Sequence, residues 1–574
     1  MNSRGSIHHQ QYGLNLLLVC LLLCGCTAND VREQMPLQGE PILQNKGSSG
    51  SEDDLTHLTG YQLNAPLQQD LSDALSSEGG QLMLRHCSSC HLPVPATWLD
   101  RETWSDEVLP AMAPYLGIGA LWGDQYYRIQ TEDNRSSPSA SLTIDEWQKI
   151  VDYFDSEAPE RITIPEPSVR ADTSMPVFQV IEPDIRMRRP VSTAMTSISP
   201  EGDTFYTSDL TSGTLTRWRW SENLTPDPVL DQQRLSLVDL QEASDKELVL
   251  VSIGSYLATD DNSGSLVRYT PDNPEIELIA DQLERPVCAV SGDFTGDGNQ
   301  DWVVCGFGHT TGALYLLVQQ GEGEGDSLER RVLKQAPGAV SVQVGDFNND
   351  GHLDIMALFA QGDEGIWLFE NDGNGHFSSR NLLRFPPVYG SNHFQLADFT
   401  GNGELDILYV SGDNADFSSI RKPYHGLYIF LNQGDFKYEQ AWFYHLDGAT
   451  RAIAADFTGN GLLDIAAIAY HAALEGPEAS NFLFLEQVSE KRTEGSLQSD
   501  RVHRIHTGSG GLQFIPYQPP LYRYGRWISM DAGDITGNGK PDLLLGNFNR
   551  PYTSRHQTGL NMNPYVPFVI LANE

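Results

Sequence analysis

The period of the apolar positions changes along the chain. From about residue 170 onwards, apolar residues form short runs of strand length, such as 405–410, which are separated by turns rich in Gly, Asn and Asp. Before residue 160 the spacing is helical, because Trp147, Ile150 and Phe154 follow a helix N-cap signature at 141–146 and precede Pro159. The pattern predicts a small helical region followed by a much longer region of β-strands.

The β region contains an internal sequence repeat. Each copy has Asp at positions 1 and 9, Asp or Asn at position 5 and Gly at position 6, and the five strong copies begin at Asp293, Asp346, Asp398, Asp456 and Asp534. Two weaker copies, 197–206 and 238–249, precede them. The repeat predicts seven units of about 50 to 80 residues each.

Seven small antiparallel sheets of this size suit radial closure, which hides the edges of the sheets. We therefore predict an all-β, seven-bladed propeller over residues 170–574. The last recognisable strand is 567–571, and 176–181 is expected to complete the same blade and close the ring.

The N-terminal residues have the composition of an export signal. The apolar run from Leu14 to Leu23 is too short to span a bilayer but matches the core of a signal peptide over residues 1–25. The run ends in Leu23-Cys24-Gly25-Cys26, which resembles the lipobox of bacterial lipoproteins and implies lipidation of Cys26. Thr27, which follows Cys26, favours export of the lipoprotein to the outer membrane. The alternative is an ordinary signal peptide with incidental cysteines.

The polar stretch 26–78 predicts a flexible tether, although the spacing from Leu63 to Leu75 is partly helical. Residues 79–160 then predict a compact helical domain. The expected location is the cell envelope, with the chain anchored through lipid on the periplasmic side or at the cell surface.

The sequence Cys87-Ser-Ser-Cys90-His91 is typical of covalent haem c attachment, in which two thiols bind the vinyl groups and the histidine binds iron. A zinc site would need a second ligand pair, and a thioredoxin-like motif would need a βαβ setting. Met112 is the only methionine between His91 and about Met175, so it is the candidate sixth ligand. The alternative is that Met112 belongs to the core and that water or another group occupies the sixth position.

The segment from Gly80 to Pro159 resembles the small monohaem cytochromes c. The resemblance rests on the haem motif, on Pro110 and Met112 downstream, and on a closing helix with an aromatic face. It implies an all-α domain in which the closing helix packs against the helix that precedes the haem motif. That packing would pair Trp147 or Phe154 with Leu82 or Met83.

The five strong copies place oxygen-bearing residues at alternating positions, which suits a hard cation such as Ca²⁺. The alternative is a turn rich in Asx residues that holds no metal. The candidate ligands are Asp293, Thr295, Asp297, Asn299 and Asp301; Asp346, Asn348, Asp350, His352 and Asp354; Asp398, Thr400, Asn402, Glu404 and Asp406; Asp456, Thr458, Asn460 and Asp464; and Asp534, Thr536, Asn538 and Asp542.

From about Asp239 onwards the chain resembles the FG-GAP/VCBS repeat family, whose propellers bind Ca²⁺ in such loops for structural purposes. Three loops depart from the richest pattern, because Asn402, Asn460 and Asn538 replace Asp at position 5. Fewer charges predict weaker calcium binding in these loops.

The net charge of the chain excludes one class of partner, and two of its cysteines could form a disulfide. Asp and Glu number 77 against 37 Lys and Arg, and the formal charge of −40 argues against nucleic acid. Cys288 and Cys305 flank a predicted turn, and the sequence leaves both a disulfide and two buried thiols open.

Aligning the repeats places a cationic group near one mouth of the propeller channel: Arg285, His393, Arg451 and Arg526. The segments 412–416 and 422–425 are polar loops that join this neighbourhood. The group could hold an anionic ligand, or each residue could pair with nearby carboxylates. His309 and His471 are predicted to be lone structural histidines.

These observations favour an electron-transfer protein rather than a complete enzyme, with the propeller as a scaffold for a ligand or a redox partner. Two alternatives remain. One is a haem-linked dehydrogenase that oxidises an organic substrate at the propeller, and the other is an adhesion or polysaccharide-binding protein. No nucleophile elbow, Gly-rich phosphate loop or zinc-protease motif occurs in the chain.

Overall fold

The computed structural model describes residues 65–120, 126–128, 142–164, 170–232, 235–243, 247–271, 273–321, 327–413, 420–472, 480–489, 503–504, 511–549 and 562–574. The predicted signal peptide, the lipidation site Cys26 and most of the predicted tether lie outside these residues. Among the described helices, none has the length and apolar character needed to cross a membrane.

We call residues 65–164 the helical segment, and its described part contains five α-helices together with shorter turns of helix. The α-helices are α1 (Ala65–Leu71), α2 (Glu78–Cys87), α3 (Arg101–Thr103), α4 (Leu109–Met112) and α5 (Ile144–Glu157). Single 3₁₀ turns cover Ser72–Ser76, Ala96–Trp98 and Ala113–Leu116, and a π turn covers Trp104–Val108. The expectation of an all-α unit needs correction, because β1 (Ile118–Ala120) pairs with β2 (Tyr126–Arg128).

Helices α2 and α5 cross at a glycine. A Cβ atom on Gly79 would lie 2.0 Å from the carbonyl oxygen of Lys149, so only glycine permits this approach. Leu82, Met83, Trp147 and Phe154 all belong to the buried core that the two helices share. The expected packing of the closing helix against the helix before the haem motif is therefore present.

The folded part of the chain starts earlier than the predicted boundary at 79. Leu67 and Leu71 of α1 are buried in the core of the helical segment, together with Ala74 of the following 3₁₀ turn. The partly helical spacing from Leu63 to Leu75 thus corresponds to an amphipathic helix, and the tether predicted for 26–78 does not extend to its expected end.

The rest of the chain forms seven sheets, which we number as blades 1 to 7. Blade 1 contains β4 (Thr193–Ile198), β5 (Thr204–Asp209), β6 (Thr214–Arg219) and β7 (Asp227–Asp231); blade 2 contains β8 (Leu237–Glu242), β9 (Leu248–Ser252), β10 (Gly264–Thr270) and β11 (Asn273–Leu283); blade 3 contains β12 (Pro286–Gly292), β13 (Asp301–Gly306), β14 (Ala313–Gln320) and β15 (Ser327–Gln335). Blade 4 contains β16 (Ala339–Gly345), β17 (Asp354–Phe359), β18 (Gly365–Asn371) and β19 (Phe377–Arg384); blade 5 contains β20 (Ser391–Ala397), β21 (Asp406–Ser411), β22 (Gly426–Asn432) and β23 (Tyr438–His445).

Blade 6 has five strands: β24 (Arg451–Ala455), β25 (Asp464–Ile468), β26 (Phe482–Gln487), β27 (His503–Arg504) and β28 (Gln513–Tyr517). Blade 7 contains β29 (Trp527–Gly533), β30 (Asp542–Asn547), β31 (Phe568–Asn573) and β3 (Phe178–Ile181). Single 3₁₀ turns lie at Pro387–Tyr389 and Leu521–Arg523.

The blades close into a ring. The first strands β4, β8, β12, β16, β20, β24 and β29 contact one another in that order, and β29 contacts β4. Strand β3, from the start of the β region, pairs antiparallel with β31 from the chain end. The prediction of seven blades, closed by the segment at 176–181, is confirmed.

Burial follows from stacking the blades face to face. Second strands such as β13, β17 and β21 are buried at every residue, because a neighbouring blade covers each face. In blade 3, Cys288 of β12 faces Cys305 of β13, and the two form a disulfide. This settles the alternative between a disulfide and two thiols.

The helical segment contacts the propeller at the loops of blades 4 and 5. The ring of Trp98 lies 5.8 Å from that of Tyr389 and 5.2 Å from that of Tyr424. The Tyr424 hydroxyl donates a hydrogen bond to the Trp98 carbonyl at 3.2 Å. Val388 and Ile420 pack against the core of the helical segment.

Candidate functional site

The haem motif begins at the last residue of α2. Cys87 and Cys90 are free thiols, the first partly buried and the second exposed. Burial raises the pKa of Cys87 to about 12, and the charge of Cys90 adds to the effect. A thiol with this pKa is not ionised near neutral pH, so thiolate chemistry of the thioredoxin kind does not fit Cys87.

His91 has a single ring nitrogen available for a metal. Its Nδ1 lies 2.8 Å from the carbonyl oxygen of Leu92, and a carbonyl accepts only from a protonated nitrogen. Nε2 is then the nitrogen with a free lone pair, which is the tautomer that metal-binding histidines generally adopt. Burial lowers the pKa of His91, while the Leu92 hydrogen bond and the charge of Asp363 oppose this shift.

Met112 is the last residue of α4. Its neighbours Leu109, Ala113 and Leu116 are buried in the core, but Met112 is only partly buried and does not belong to that core.

The five repeat loops share one hydrogen-bond pattern. The position 1 carboxylate accepts from the backbone N–H groups at positions 5 and 6, as Asp346 does from Asp350 and Gly351 at 3.0 and 2.9 Å. The position 5 side chain accepts from the N–H at position 7, as Asn402 does from Glu404 at 2.8 Å. These are Asx turns. Within the described residues, no group of three or more His, Cys, Asp or Glu side chains is placed to hold a metal ion.

The position 9 carboxylates face inwards. All five are completely buried: Asp301, Asp354, Asp406, Asp464 and Asp542. Each accepts at least one hydrogen bond from its own loop and one from the third strand of its blade. Asp354, for example, accepts from Phe347 N at 3.2 Å and from Asn371 N at 2.9 Å. Burial raises the pKa of all five, and that of Asp464 reaches about 6.

A side-chain amide that was not predicted from the sequence links neighbouring blades. The Asn371 Nδ2 group donates to the carbonyl of Phe294 in the loop of the preceding blade at 2.9 Å. Gln487 donates to Phe399 at 3.3 Å, and Asn573 donates to Phe457 at 2.8 Å. An Asn or Gln at the end of the third strand of blades 4, 6 and 7 is the signal that could have revealed this link.

The predicted mouth residues lie in three separate settings. Arg285 is buried and donates to the Gly308 carbonyl at 2.6 Å. Arg526 is buried, donates to the Tyr470 carbonyl at 2.8 Å and lies 4.0 Å from the centre of the Tyr470 ring. These two guanidinium groups hold backbone carbonyls rather than a shared ligand.

Arg451 and His393 form the third setting, on the first strands β24 and β20. Burial raises the pKa of Asp239 and Asp531, and the positive charge of Arg451 opposes the shift in both. The same charge adds to burial in holding the pKa of His393 well below its ordinary value. Arg451 thus influences both carboxylates through its charge, but no ion pair among the described residues joins it to either of them.

Arg526 also adjoins a histidine cluster, which consists of His425, His445 and His471. His425 is completely buried, and burial with the charge of Lys422 holds its pKa well below the ordinary value. His471 Nε2 lies 3.5 Å from Asp413 Oδ1, so the prediction that His471 stands alone was wrong. Asp413 and Lys422, from the two polar loops predicted to join the mouth residues, both act on His471 through their charges. Residues 414–416 of the first loop lie outside the described residues.

The comparisons with known proteins concern the propeller. A family model described as FG-GAP-like repeat matches residues 293–357 and 356–409. Curated proteins gave no match to the chain. The family match covers residues 293–409 and does not reach the helical segment.

Three solved structures illustrate the similarity. They are a nidogen/laminin complex (12% identity, TM-score 0.31, 49% of this chain and 88% of that chain), the calcium-binding protein regucalcin from Agrobacterium tumefaciens (12%, 0.32, 60% and 97%) and Saccharomyces cerevisiae Sqt1 (9%, 0.39, 71% and 100%). The strand order and the family match together identify a seven-bladed propeller that carries FG-GAP-like repeats.

Proposed function

We propose that this protein is an exported haem c protein that transfers electrons, with the FG-GAP propeller as the scaffold for a partner or a ligand. The observation that carries the proposal is the hydrogen bond from His91 Nδ1 to Leu92, which leaves Nε2 for iron beside two free thiols. Cys87 and Cys90 would hold the haem covalently, and His91 and Met112 would be the axial ligands. Bound haem supplies a one-electron redox centre.

The residues around this site contribute in distinct ways. The Leu92 carbonyl orients the His91 ring, and the crossing of α2 and α5 at Gly79 sets the end of α2, where Cys87 lies. In this proposal Met112, which lies outside the buried core, would be the sixth ligand. In the same proposal, lipidated Cys26 anchors the chain to the envelope membrane. The two alternative functions, a haem-linked dehydrogenase and an adhesion or polysaccharide-binding protein, remain predictions.

We also propose that the repeat loops bind Ca²⁺. The support is chemical: side chains such as Asp293 and Asp297 are exposed on the loop and offer carboxylate oxygens, which Ca²⁺ prefers. The Asx-turn hydrogen bonds leave further acceptor capacity on those oxygens. The buried position 9 carboxylates hold the loop backbone in the arrangement described above.

The test of the haem proposal is expression of the full chain with and without the machinery for cytochrome c maturation. We expect a haem stain that survives denaturing electrophoresis and disappears in the Cys87→Ala, Cys90→Ala double variant. Met112→Ala should lose the weak long-wavelength absorbance of methionine-ligated haem, while Met187→Ala, a change at an exposed methionine, should retain it. Absence of covalent haem in the unchanged protein would overturn the proposal.

A further inference from the structure

A cleft lies between the helical segment and blade 5. Its volume is about 360 Å³, and we call it the boundary cleft. Thr97 and Trp98 form one wall, the tail after α5 forms a second, and Pro423 and Tyr424 of the propeller form the third. Clefts of this size at the boundary between two folded units are a common setting for small-molecule sites.

The apolar part of the cleft is built before any ligand arrives. Trp98 Nε1 donates to Asp70 Oδ2 at 2.9 Å, and the Tyr424 hydroxyl donates to the Trp98 carbonyl at 3.2 Å. With the ring centres of Trp98 and Tyr424 5.2 Å apart, the two aromatic side chains hold each other in place. Rings held in this way lose little conformational entropy when a ligand packs against them.

The rim of the cleft carries charges of opposite sign. Glu157 lies at the end of α5 and Arg161 four residues later, and both are exposed. Arg161 has no ion pair within the described part of the chain. The hydroxyls of Thr97 and Thr163 add polar groups to the same lining.

We propose that the boundary cleft binds a saccharide ring that carries a carboxylate, that is, a uronic acid unit. The apolar C–H face of a sugar ring matches the aromatic rings of Trp98 and Tyr424. Ring hydroxyls donate to the Glu157 carboxylate, and the sugar carboxylate takes two parallel hydrogen bonds from the Arg161 guanidinium.

Other ligand classes use less of this lining. A flat aromatic acid has no hydroxyl that could donate to Glu157. A neutral sugar leaves Arg161 unused. Because the chain carries a formal charge of −40, an anionic ligand also needs a local cation, and Arg161 supplies it. The proposal is independent of the haem, since no ligand of the iron lines the cleft.

The experiment is calorimetric titration of the full chain with digalacturonate, with neutral digalactose and benzoate as comparison ligands. We expect digalacturonate to bind at least about tenfold more tightly than either comparison ligand, and Arg161→Gln to remove that preference. Arg188→Gln, a change at another exposed arginine outside the cleft, should bind like the unchanged protein. Exposed Arg161 can be replaced without loss of folding, which thermal unfolding checks.

Three outcomes would overturn the assignment: equal binding of the neutral disaccharide, unchanged binding by the Arg161 variant, or no binding of digalacturonate. Glu157→Gln provides the second arm. It keeps a hydrogen-bond acceptor and removes the charge, so it should weaken binding less than Arg161→Gln does. Failure of the haem stain would leave all these outcomes unaffected, so the two proposals are tested separately.

Discussion

Blades 3 to 7 carry the nine-residue loop and blades 1 and 2 do not, yet all seven form the same antiparallel sheet. In blade 1 the corresponding turn is short, and Asp203 accepts hydrogen bonds from the backbone and side chain of Ser221 in the same blade. In blades 4, 6 and 7 the loop region is linked to the preceding blade. The loop is therefore not needed to form a blade; it adds a buried carboxylate, and in some blades a link between neighbours.

The largest expected effect comes from a position 9 carboxylate. Asp354→Ala leaves the N–H groups of Phe347 and Asn371 buried without an acceptor, and we expect the free energy of unfolding to fall by about 3 kcal/mol. Chemical denaturation measures it. Asp372→Ala, in the same blade but at an exposed turn, is the control and should cost below about 1 kcal/mol. Equal losses in the two variants would contradict the role of the buried carboxylate.

Calcium removal is the next test, since it should affect only the blades with loops. Binding to the folded state at a free Ca²⁺ concentration of 100 times Kd would stabilise it by about 2.7 kcal/mol per site. We expect a chelator to lower the melting temperature and to increase hydrogen exchange in blades 3 to 7 but not in blades 1 and 2. Asp350→Asn should weaken the response of blade 4, because it gives that loop the Asn at position 5 found in Asn402, Asn460 and Asn538. Identical exchange with and without Ca²⁺ would contradict calcium binding.

Acid should also affect the stability of the two groups of blades differently. Residues 193–283, which span blades 1 and 2, contain no histidine. The pKa of His425 is held well below its ordinary value by burial, with Lys422, His445 and His471 opposing its protonation. Its stabilising contribution is complete above the unfolded pKa of about 6.5 and is lost as the pH falls towards the folded pKa, by up to about 1.4 kcal/mol per pH unit.

The variant His425→Gln isolates this contribution. The buried position 9 carboxylates act in the opposite direction, because the stabilisation that follows from a raised pKa, about 6 for Asp464, is lost as the pH rises. We expect the unchanged protein to lose more stability than His425→Gln between pH 7 and pH 5, as measured by denaturation at each pH. Parallel pH profiles would show that His425 does not contribute.

The smallest expected effect concerns the link between blades. Asn371→Ala removes the hydrogen bonds from Nδ2 to Phe294 and Leu353. It also removes the Oδ1 acceptor of the Gly373 and Gly375 N–H groups, and we expect a total loss of about 1 to 2 kcal/mol. Asn374→Ala, at an exposed position of the same turn, is the matched control and should be close to neutral. Local hydrogen exchange at the boundary of blades 3 and 4 distinguishes a lost link from general destabilisation.

The site was less predictable than the fold for a physical reason. Repeat alignment placed Arg285, His393, Arg451 and Arg526 near one mouth, because alignment follows strand position. It did not show that Arg285 and Arg526 turn towards the carbonyls of Gly308 and Tyr470, since those partners lie on loops outside the repeat. His471 meets Asp413 only because blades 5 and 6 are neighbours, and the two residues are far apart in the sequence.

The sequence alone determined the number of blades and the strand that closes the ring, because both depend on local period and on fixed spacing. It also provided the Cys87–His91 spacing on which the haem proposal rests. Only the tertiary structure decided which loops meet. It placed Trp98 against Tyr389 and Tyr424, joined Cys288 to Cys305 and turned the position 9 carboxylates inwards. The reason is that burial and contact between blades depend on how the sheets stack around the ring, and this stacking has no local signal in the chain.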